Sequence, residues 1–222
     1  PTGGINDTSN IITLANTGIA DLAGNAGTGT TNSGNFTINT VAPTATIVVA
    51  DNSLTIGETS LVTITFSEAV TGFNNADLTI ANGTLTAMSS SDGGITWTAT
   101  FTPTSNSTDA SNLITLDNSG VQNAVGNAGN GTTNSNNYAI DTQRPTATVV
   151  LADSALGVGQ TTTVTITFSE AVSGLTLADL TVANGTLSGL STSDNITYTA
   201  TFTPSAGITD TSNIITLDNT GI

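Results

Sequence analysis

The chain of 222 residues contains no cysteine, no histidine and no lysine, and its one basic residue is Arg144. The lack of cysteine excludes the class of small proteins held together by disulfides, although it does not exclude secretion. Without histidine, cysteine and lysine the usual general bases and nucleophiles are missing, and no phosphate loop, zinc spacing or EF-hand loop is present. The sequence therefore predicts a protein that is not an enzyme and has no catalytic residues.

Positive charge is almost absent, whereas 16 acidic residues give a net charge of −15. Such a chain repels the phosphates of nucleic acids and of anionic membranes, so we expect neither as a partner. No apolar run reaches 18 residues, so this segment is not expected to insert into a membrane, and it carries no signal peptide. An acidic surface with so little counter-charge suits divalent cations instead.

Aromatic residues are also scarce, at 4%, and apolar residues make up 36% of the chain. Each hydrophobic core must therefore be small and built from Ile, Val, Leu and Ala. Threonine, which favours strands, and asparagine and glycine, which favour turns, dominate the rest. This composition predicts an all-β protein.

What the chain does have is an internal repeat of about 102 residues. PTATIVVADNSL begins at Pro43 and PTATVVLADSAL at Pro145, and VTITFSEAV begins at both Val62 and Val164. ADLTIANGTL at Ala76 matches ADLTVANGTL at Ala178. The segment SNIITLANTGI, which begins at Ser9, recurs in similar form at Ser111 and Ser212, so that it is present in three copies.

The repeat predicts three parts in a longer array. Residues 1–42 are the C-terminal part of one repeat, the first partial repeat. Residues 43–144 are a complete repeat, and residues 145–222 are the N-terminal part of a further one, the third repeat. The joint between the first two parts is called the first junction, and the joint between the last two is the second junction.

Apolar residues alternate with threonine within the complete repeat, which is the period of a β-strand. Seven short strands with one apolar face predict two antiparallel sheets packed face to face. We expect five larger side chains in the core: Phe66, Trp97, Phe101, Leu116 and Ile140. Asn82-Gly83 and Asn184-Gly185 predict two-residue hairpin turns.

These residues resemble a known family. The run from Pro43 to Leu85, followed by SSSDGGITWTATFTP, by DLAGNAG at Asp21 and by NYAIDT, is similar to the bacterial Ig-like repeats of giant surface adhesins, the biofilm-associated and type I-secreted repeat proteins. The resemblance implies tandem immunoglobulin-like β-sandwich repeats in an extracellular protein, secreted or attached to the cell surface. It further implies a structural extender, or stalk, that is often stiffened by calcium.

The acidic positions predict calcium at the junctions, because successive loops of a seven-strand sandwich alternate between its two poles. Asp51, Asp109 and Asp141 are expected to meet at one pole, and Glu170 and Asp218 at the facing pole of the next repeat. Carboxylates that close repel one another unless a hard cation such as calcium binds them. At the first junction the matching set is Asp7, Asn39, Glu68 and Asp117. It contains fewer carboxylates, so the second junction should bind calcium more tightly.

Two other functions remain open at this point. The partial repeats could complete each other between copies of the chain, giving a filament held by strand donation. Alternatively, loops or threonine-rich faces could bind a glycan or another cell directly. Near-identical repetition favours an extender, whose partners are the neighbouring repeats of the same array and, in a filament, other copies of the chain.

Overall fold

The computed structural model describes residues 1–222 throughout, and it consists of short β-strands and four 3-10 helices with no α-helix. The prediction of an all-β fold is therefore confirmed. None of the helices has the length and apolar composition needed to cross a membrane. The chain folds as two compact units, Pro1–Gln143 and Arg144–Ile222.

The first partial repeat forms two separate antiparallel strand pairs. β1 pairs with β4, and β2 pairs with β3. No strand of the complete repeat pairs with them. The strands are β1 Asn6–Asn10, β2 Thr13–Ala15, β3 Thr30–Asn32 and β4 Phe36–Asn39, with a 3-10 helix at Asn16–Gly18 after β2.

The complete repeat contains thirteen strand segments, rather than the seven strands predicted. They are β5 Ala45–Val49, β6 Ser53–Thr55, β7 Ser60–Phe66, β8 Val70–Thr71, β9 Leu78–Ile80, β10 Gly83–Leu85, β11 Ser89–Ser90, β12 Thr96–Pro103, β13 Thr108–Asn112, β14 Ile114–Asp117, β15 Gln122–Asn123, β16 Thr132–Asn134 and β17 Tyr138–Asp141. The 3-10 helices are Asn75–Asp77 and Asn118–Gly120.

These segments form two layers around one core. One layer is the sheet of order β10-β12-β7-β5, with β11 added to β12. The other layer contains three short sheets: β13-β17-β6, β16-β14-β9 and β15-β8. The ring of Phe101 meets the ring of Tyr138 across the core, with centroids 5.0 Å apart.

The alternation of apolar residues with threonine predicted burial correctly for four of the five expected core residues. Phe66, Phe101, Leu116 and Ile140 are buried. Trp97 is only partly buried, and its ring makes a T-shaped contact with that of Phe73, with centroids 5.1 Å apart. The register of β12 is as predicted, since Trp97 lies opposite Ile64 and Phe101 opposite Ser60 on β7. Trp97 lies near one end of β12, where it packs against the core and its indole N–H donates to the carbonyl of Gly94.

The hairpin predicted at Asn82-Gly83 is wrong. The strands on either side belong to different layers, because β9 pairs with β14 and β10 pairs with β12. Asn82 does adopt a positive φ of 48°, so the turn chemistry is present but carries the chain from one sheet to the other. Glycine is required next to it, since a Cβ on Gly83 would collide with the ring of Phe101.

The prediction that all strands are antiparallel is also wrong, because β6 runs parallel to β17 and a parallel bridge joins Ile47 to Ser135. The first predicted strand breaks after Val49, so that β5 joins β7 in one layer and β6 joins β17 in the other. Strands that change layers in this way explain why the segments outnumber the seven strands that the apolar pattern indicates.

The second unit repeats the first part of this arrangement. Its strands are β18 Ala147–Leu151, β19 Thr162–Phe168, β20 Leu180–Val182, β21 Gly185–Thr192, β22 Thr197–Pro204 and β23 Ile215–Leu217, with a 3-10 helix at Leu177–Asp179. They form the sheet β18-β19-β22-β21 and the pair β20-β23. Asn184-Gly185 again joins two sheets, so the hairpin predicted there is wrong for the same reason.

Candidate junction site

A threonine closes the end of each of the first two repeats. The hydroxyl of Thr40 donates to the carbonyl of Thr2 at 2.8 Å and accepts from the backbone N–H of Ile5 at 2.9 Å. Thr142 does the same in the complete repeat, with Thr104 as acceptor at 2.6 Å and Ser107 as donor at 3.0 Å. The last strand of each repeat is therefore fastened to its own body immediately before the linker begins.

The linker at the first junction then lies against one loop of the complete repeat, residues 123–127, which we call the junction loop. Asn123 donates its side-chain amide to the carbonyl of Val41 at 3.1 Å. Asn127 donates to the carbonyls of Asn39 and Val41 at 3.0 and 3.1 Å. Pro43, two residues further on, is buried. The linker is thus an ordered part of this unit.

Of the residues predicted as calcium ligands at the first junction, Asn39 and Glu68 lie beside the junction loop. Asn127 donates to the backbone carbonyl of Asn39, whose side-chain oxygen accepts from the N–H of Val41. Glu68 follows β7 and accepts from the amide of Asn123 at 3.1 Å. Asp7 lies in β1, and Asp117 ends β14. The two oxygen-bearing groups nearest the linker therefore already accept hydrogen bonds from amides.

Most of the predicted ligands share a local role that the sequence analysis missed. A carboxylate oxygen of Asp7, Asp51, Asp109, Asp117 and Asp218 accepts from the backbone N–H two residues later, at 2.9–3.1 Å. This is an Asx turn, which holds the backbone where a strand bends or ends. The signal was available, because the residue two positions later is Ser or Thr in each case.

The hydrogen bonds have an electrostatic consequence at two of these positions. The hydroxyl and N–H of Ser119 lower the pKa of Asp117, and those of Thr220 lower the pKa of Asp218. Both carboxylates are exposed, and these hydrogen bonds favour their charged form.

Asp109 has a second structural role. It lies inside β13 rather than in the connection where it was predicted. One of its oxygens accepts from the side-chain amide of Asn82 at 2.9 Å, and Asn82 also donates to Asn112 at 2.7 Å. Asp210 and Asn213 hold Asn184 in the same way at 2.9 and 2.7 Å. The acidic side chain therefore ties the crossing between the two sheets to β13.

The predicted convergence of Asp51, Asp109 and Asp141 is not seen. Asp109 pairs with Ile140 while Asp141 pairs with Thr108, so the two carboxylates belong to opposite faces of the same two strands. Asp141 lies opposite Thr55 at the end of β6, whereas Asp51 precedes the start of β6 at Ser53. No group of three or more acidic side chains in the structure is placed to hold a metal ion.

The residues predicted as ligands at the second junction belong to two different compact units. Asp141 is exposed at the end of β17 and accepts from the hydroxyl of Thr108 at 2.9 Å. Glu170 follows β19 and is partly buried, in the position that Glu68 occupies after β7. Asp218 follows β23, and its backbone N–H donates to the carbonyl of Asp179. Calcium binding by these residues stays a prediction.

The sequence model of the bacterial Ig-like domain family matches three segments of the chain, residues 1–38, 39–140 and 141–222. The chain belongs to this family. Together the matched segments cover every residue, so the resemblance to bacterial Ig-like domains is confirmed along the whole chain. The family is one of Ig-like domains rather than of enzymes. No curated protein sequence matches the chain at a significant level.

Solved structures that are similar to this Ig-like chain include two bacterial adhesins. One is FdeC, a broadly conserved adhesin of Escherichia coli, with 14% identity and a TM-score of 0.40 over 82% of this chain. The other is the adhesin InvE of Yersinia pseudotuberculosis, with 19% identity and a TM-score of 0.33 over 72%. The chain spans 62% and 51% of the lengths of those two structures.

Proposed function

We propose that this chain is part of the stalk of a bacterial adhesin, located outside the cell, in which Ig-like domains hold a distant binding region away from the surface. The observation that carries the proposal is the ordered linker of the first junction, which three amide hydrogen bonds fasten to the junction loop. A short linker bound in this way transmits direction from one domain to the next. Repeats of nearly identical sequence are better suited to extending a stalk than to recognising one particular ligand.

Calcium at the second junction belongs to the same proposal. The chain carries a net charge of −15, and exposed Asp141 and Asp218, with partly buried Glu170, supply hard oxygen ligands on both sides of the linker. A cation bound between two domains favours their ordered arrangement by its binding free energy. We therefore expect calcium to stiffen this junction without being needed to fold the sandwich.

Titration calorimetry of the chelator-treated chain with calcium tests this, together with small-angle X-ray scattering in calcium and in chelator. We expect saturable uptake, and a smaller largest dimension in chelator with unchanged circular dichroism. Asp141→Asn should weaken the uptake while the domain stays folded, because the amide oxygen can still accept from Thr108. Asp153→Asn, which is outside the proposed ligand set, is the matched control. An absence of uptake, with scattering unaffected by chelator, would contradict the calcium proposal.

A second candidate function is a filament of chains, in which the apolar face of the first partial repeat would pack against another copy. Ile12 and Phe36 are 67% and 40% exposed, whereas their counterparts Ile114 and Tyr138 in the complete repeat are both 0% exposed. In the complete repeat, β5, β7 and β12 cover this face. The third repeat presents equivalents of those strands in β18, β19 and β22, so a second copy of the chain could supply the cover.

Light scattering after size exclusion distinguishes the two functions. A filament requires a mass that grows with concentration, and Ile12→Asp should abolish that growth because it places a charge on the apolar face. Thr17→Asp, an exposed position in the 3-10 helix, is the control. A monomer at every concentration would contradict the filament and leave the stalk as the function.

A further inference from the structure

The junction loop is shaped by the side chain of Asn123. Its Oδ1 accepts the backbone N–H groups of Val125 at 3.2 Å and Asn127 at 2.9 Å. The side chain is only 2% exposed. Because the oxygen faces two N–H donors, the amide cannot be turned around, and its NH2 group must point the other way, towards the linker.

The NH2 group of Asn123 has two hydrogens, and both are used. One is donated to the carbonyl of Val41 and the other to the carboxylate of Glu68, each at 3.1 Å. Asn123 therefore lies between a backbone carbonyl of the linker and a carboxylate of the complete repeat. Carboxylate and carbonyl oxygens are also the ligand types of calcium, which takes six to eight of them. Here a neutral amide fills the position and satisfies both.

Residues 1–42 show the same loop with a carboxylate at this position. Asp21 accepts the N–H groups of Ala23 at 2.9 Å and Asn25 at 2.8 Å, which reproduces the turn of Asn123. Its second oxygen accepts the side-chain amide of Asn25 at 2.8 Å, and these bonds, that of the Asn25 side chain above all, lower the pKa of Asp21. An aspartate therefore preserves the loop but removes the two hydrogens that Asn123 donates outwards.

We propose that Asn123 makes the first junction independent of calcium, because its amide already joins the linker carbonyl to Glu68, and that an aspartate at this position would make this junction depend on a divalent cation. With asparagine, the linker carbonyl and Glu68 are joined directly. With aspartate, the new carboxylate would face Glu68 and the carbonyl of Val41, and the repulsion between two carboxylates that close favours binding of a cation between them at neutral pH. This deepens the proposed stalk, on which it rests, by making the calcium dependence of a joint a property of one residue.

The test compares the full chain with Asn123→Asp in titration calorimetry and in hydrogen exchange at linker residues 39–42, which precede Pro43. We expect Asn123→Asp to bind one calcium more than the parent chain. In chelator its linker should exchange up to about tenfold faster than the parent's, the upper end of the loss expected for the neutral hydrogen bond to the carbonyl of Val41, and calcium should restore protection. The parent linker should exchange equally in calcium and in chelator.

Two further variants control this experiment. Glu68→Gln in the Asn123→Asp chain should remove the additional calcium site. In the parent chain the same change should leave the linker protected, because the amide oxygen of glutamine can still accept from Asn123. Asn123→Ala should loosen the linker in both solutions without gaining calcium. Circular dichroism of each variant confirms that the domain is folded, and Asp21 shows that the loop accommodates an aspartate.

Two outcomes would overturn the proposal. One is a parent linker that loosens in chelator as much as that of Asn123→Asp, and the other is a folded Asn123→Asp chain that binds no additional calcium. These results are separable from those of the proposed function. If the parent chain binds no calcium, the calcium prediction for the second junction fails, while a site gained by Asn123→Asp still supports the role of position 123.

Discussion

At the residue scale, the acidic side chains mainly hold turns. Asp92 fixes the hairpin between β11 and β12 by accepting the N–H of Thr96 at 2.9 and 3.0 Å, the N–H of Ile95 and the hydroxyl of Ser90. The hydrogen bonds from Thr96 are the largest cause that lowers the pKa of Asp92, from its ordinary value of 3.8 to about 2. The charged form is therefore favoured in the folded chain.

This pKa predicts how the stability of the complete repeat depends on pH. A carboxylate with a lowered folded-state pKa stabilises the fold above its unfolded pKa, and that contribution disappears as the pH falls through the folded value. The Asp92 contribution should therefore be complete above about pH 4 and lost towards pH 2. Asp92→Asn should be less stable than the parent at pH 7, and the difference should shrink between pH 4 and pH 2.

Urea unfolding followed by tryptophan fluorescence measures this directly, because Trp97 is the one tryptophan and lies in the hairpin's second strand. Asp153→Asn is the control, since Asp153 lies outside this repeat. A difference between parent and Asp92→Asn that stays constant from pH 7 to pH 2 would contradict the assigned role.

Two aromatic residues of β12 differ in burial, so they should differ in their contribution to the free energy of unfolding. Phe101→Ala should lower the free energy of unfolding by about 3–5 kcal/mol, the usual cost of removing a fully buried aromatic ring. Trp97→Ala should cost less, because the indole is only partly buried and packs against one edge of Phe73. Calorimetric unfolding of both variants provides the comparison. A larger loss for Trp97→Ala than for Phe101→Ala would show that the end of β12 is packed more tightly than described.

At the element scale, the crossing between β9 and β10 explains a sequence feature that was misread. A glycine after an asparagine indicates a turn, but the turn type does not say which strands it joins. The close approach of Phe101 to Gly83 depends on residues 18 positions apart in sequence and on the packing of two layers. Local sequence propensity predicts neither which strands the turn joins nor this contact between the two layers.

Gly83→Ala should therefore destabilise the complete repeat by about 1–3 kcal/mol, the range for forcing an additional methyl group into a packed core. Gly34→Ala is the matched control, because a Cβ there meets no other atom within 4 Å. Thermal unfolding of the two variants is the measurement. Equal melting temperatures for parent and Gly83→Ala would mean that Phe101 moves aside without cost.

The sequence predicted the strands better than the site for a physical reason. Alternation along one strand fixes which side chains face inward, so Phe66, Phe101, Leu116 and Ile140 could be placed without knowing the topology. Bringing carboxylates together depends on the stagger between strands. The one-residue offset that puts Asp109 and Asp141 on opposite faces is set by pairing across the sheet. The role of Asn123 likewise appears only when the linker has been placed against it.

At the scale of the whole molecule, one Ig-like domain type is repeated, and some of the differences between copies lie at the joints. Asn123 replaces Asp21, and Asp141 replaces Asn39, whereas the core positions keep their apolar character. Such a pattern lets every domain fold alike while the stiffness of each joint is set separately. A stalk with ordered joints should behave as a rod rather than as a flexible chain of beads.

The most direct test of this claim is the growth of the largest dimension with the number of repeats, measured by small-angle X-ray scattering in calcium on proteins with two, four and six complete repeats joined by the linker of the first junction. Ordered joints predict that the dimension increases in proportion to the number of repeats. Growth with about the square root of that number, the behaviour of flexibly joined units, would contradict the account.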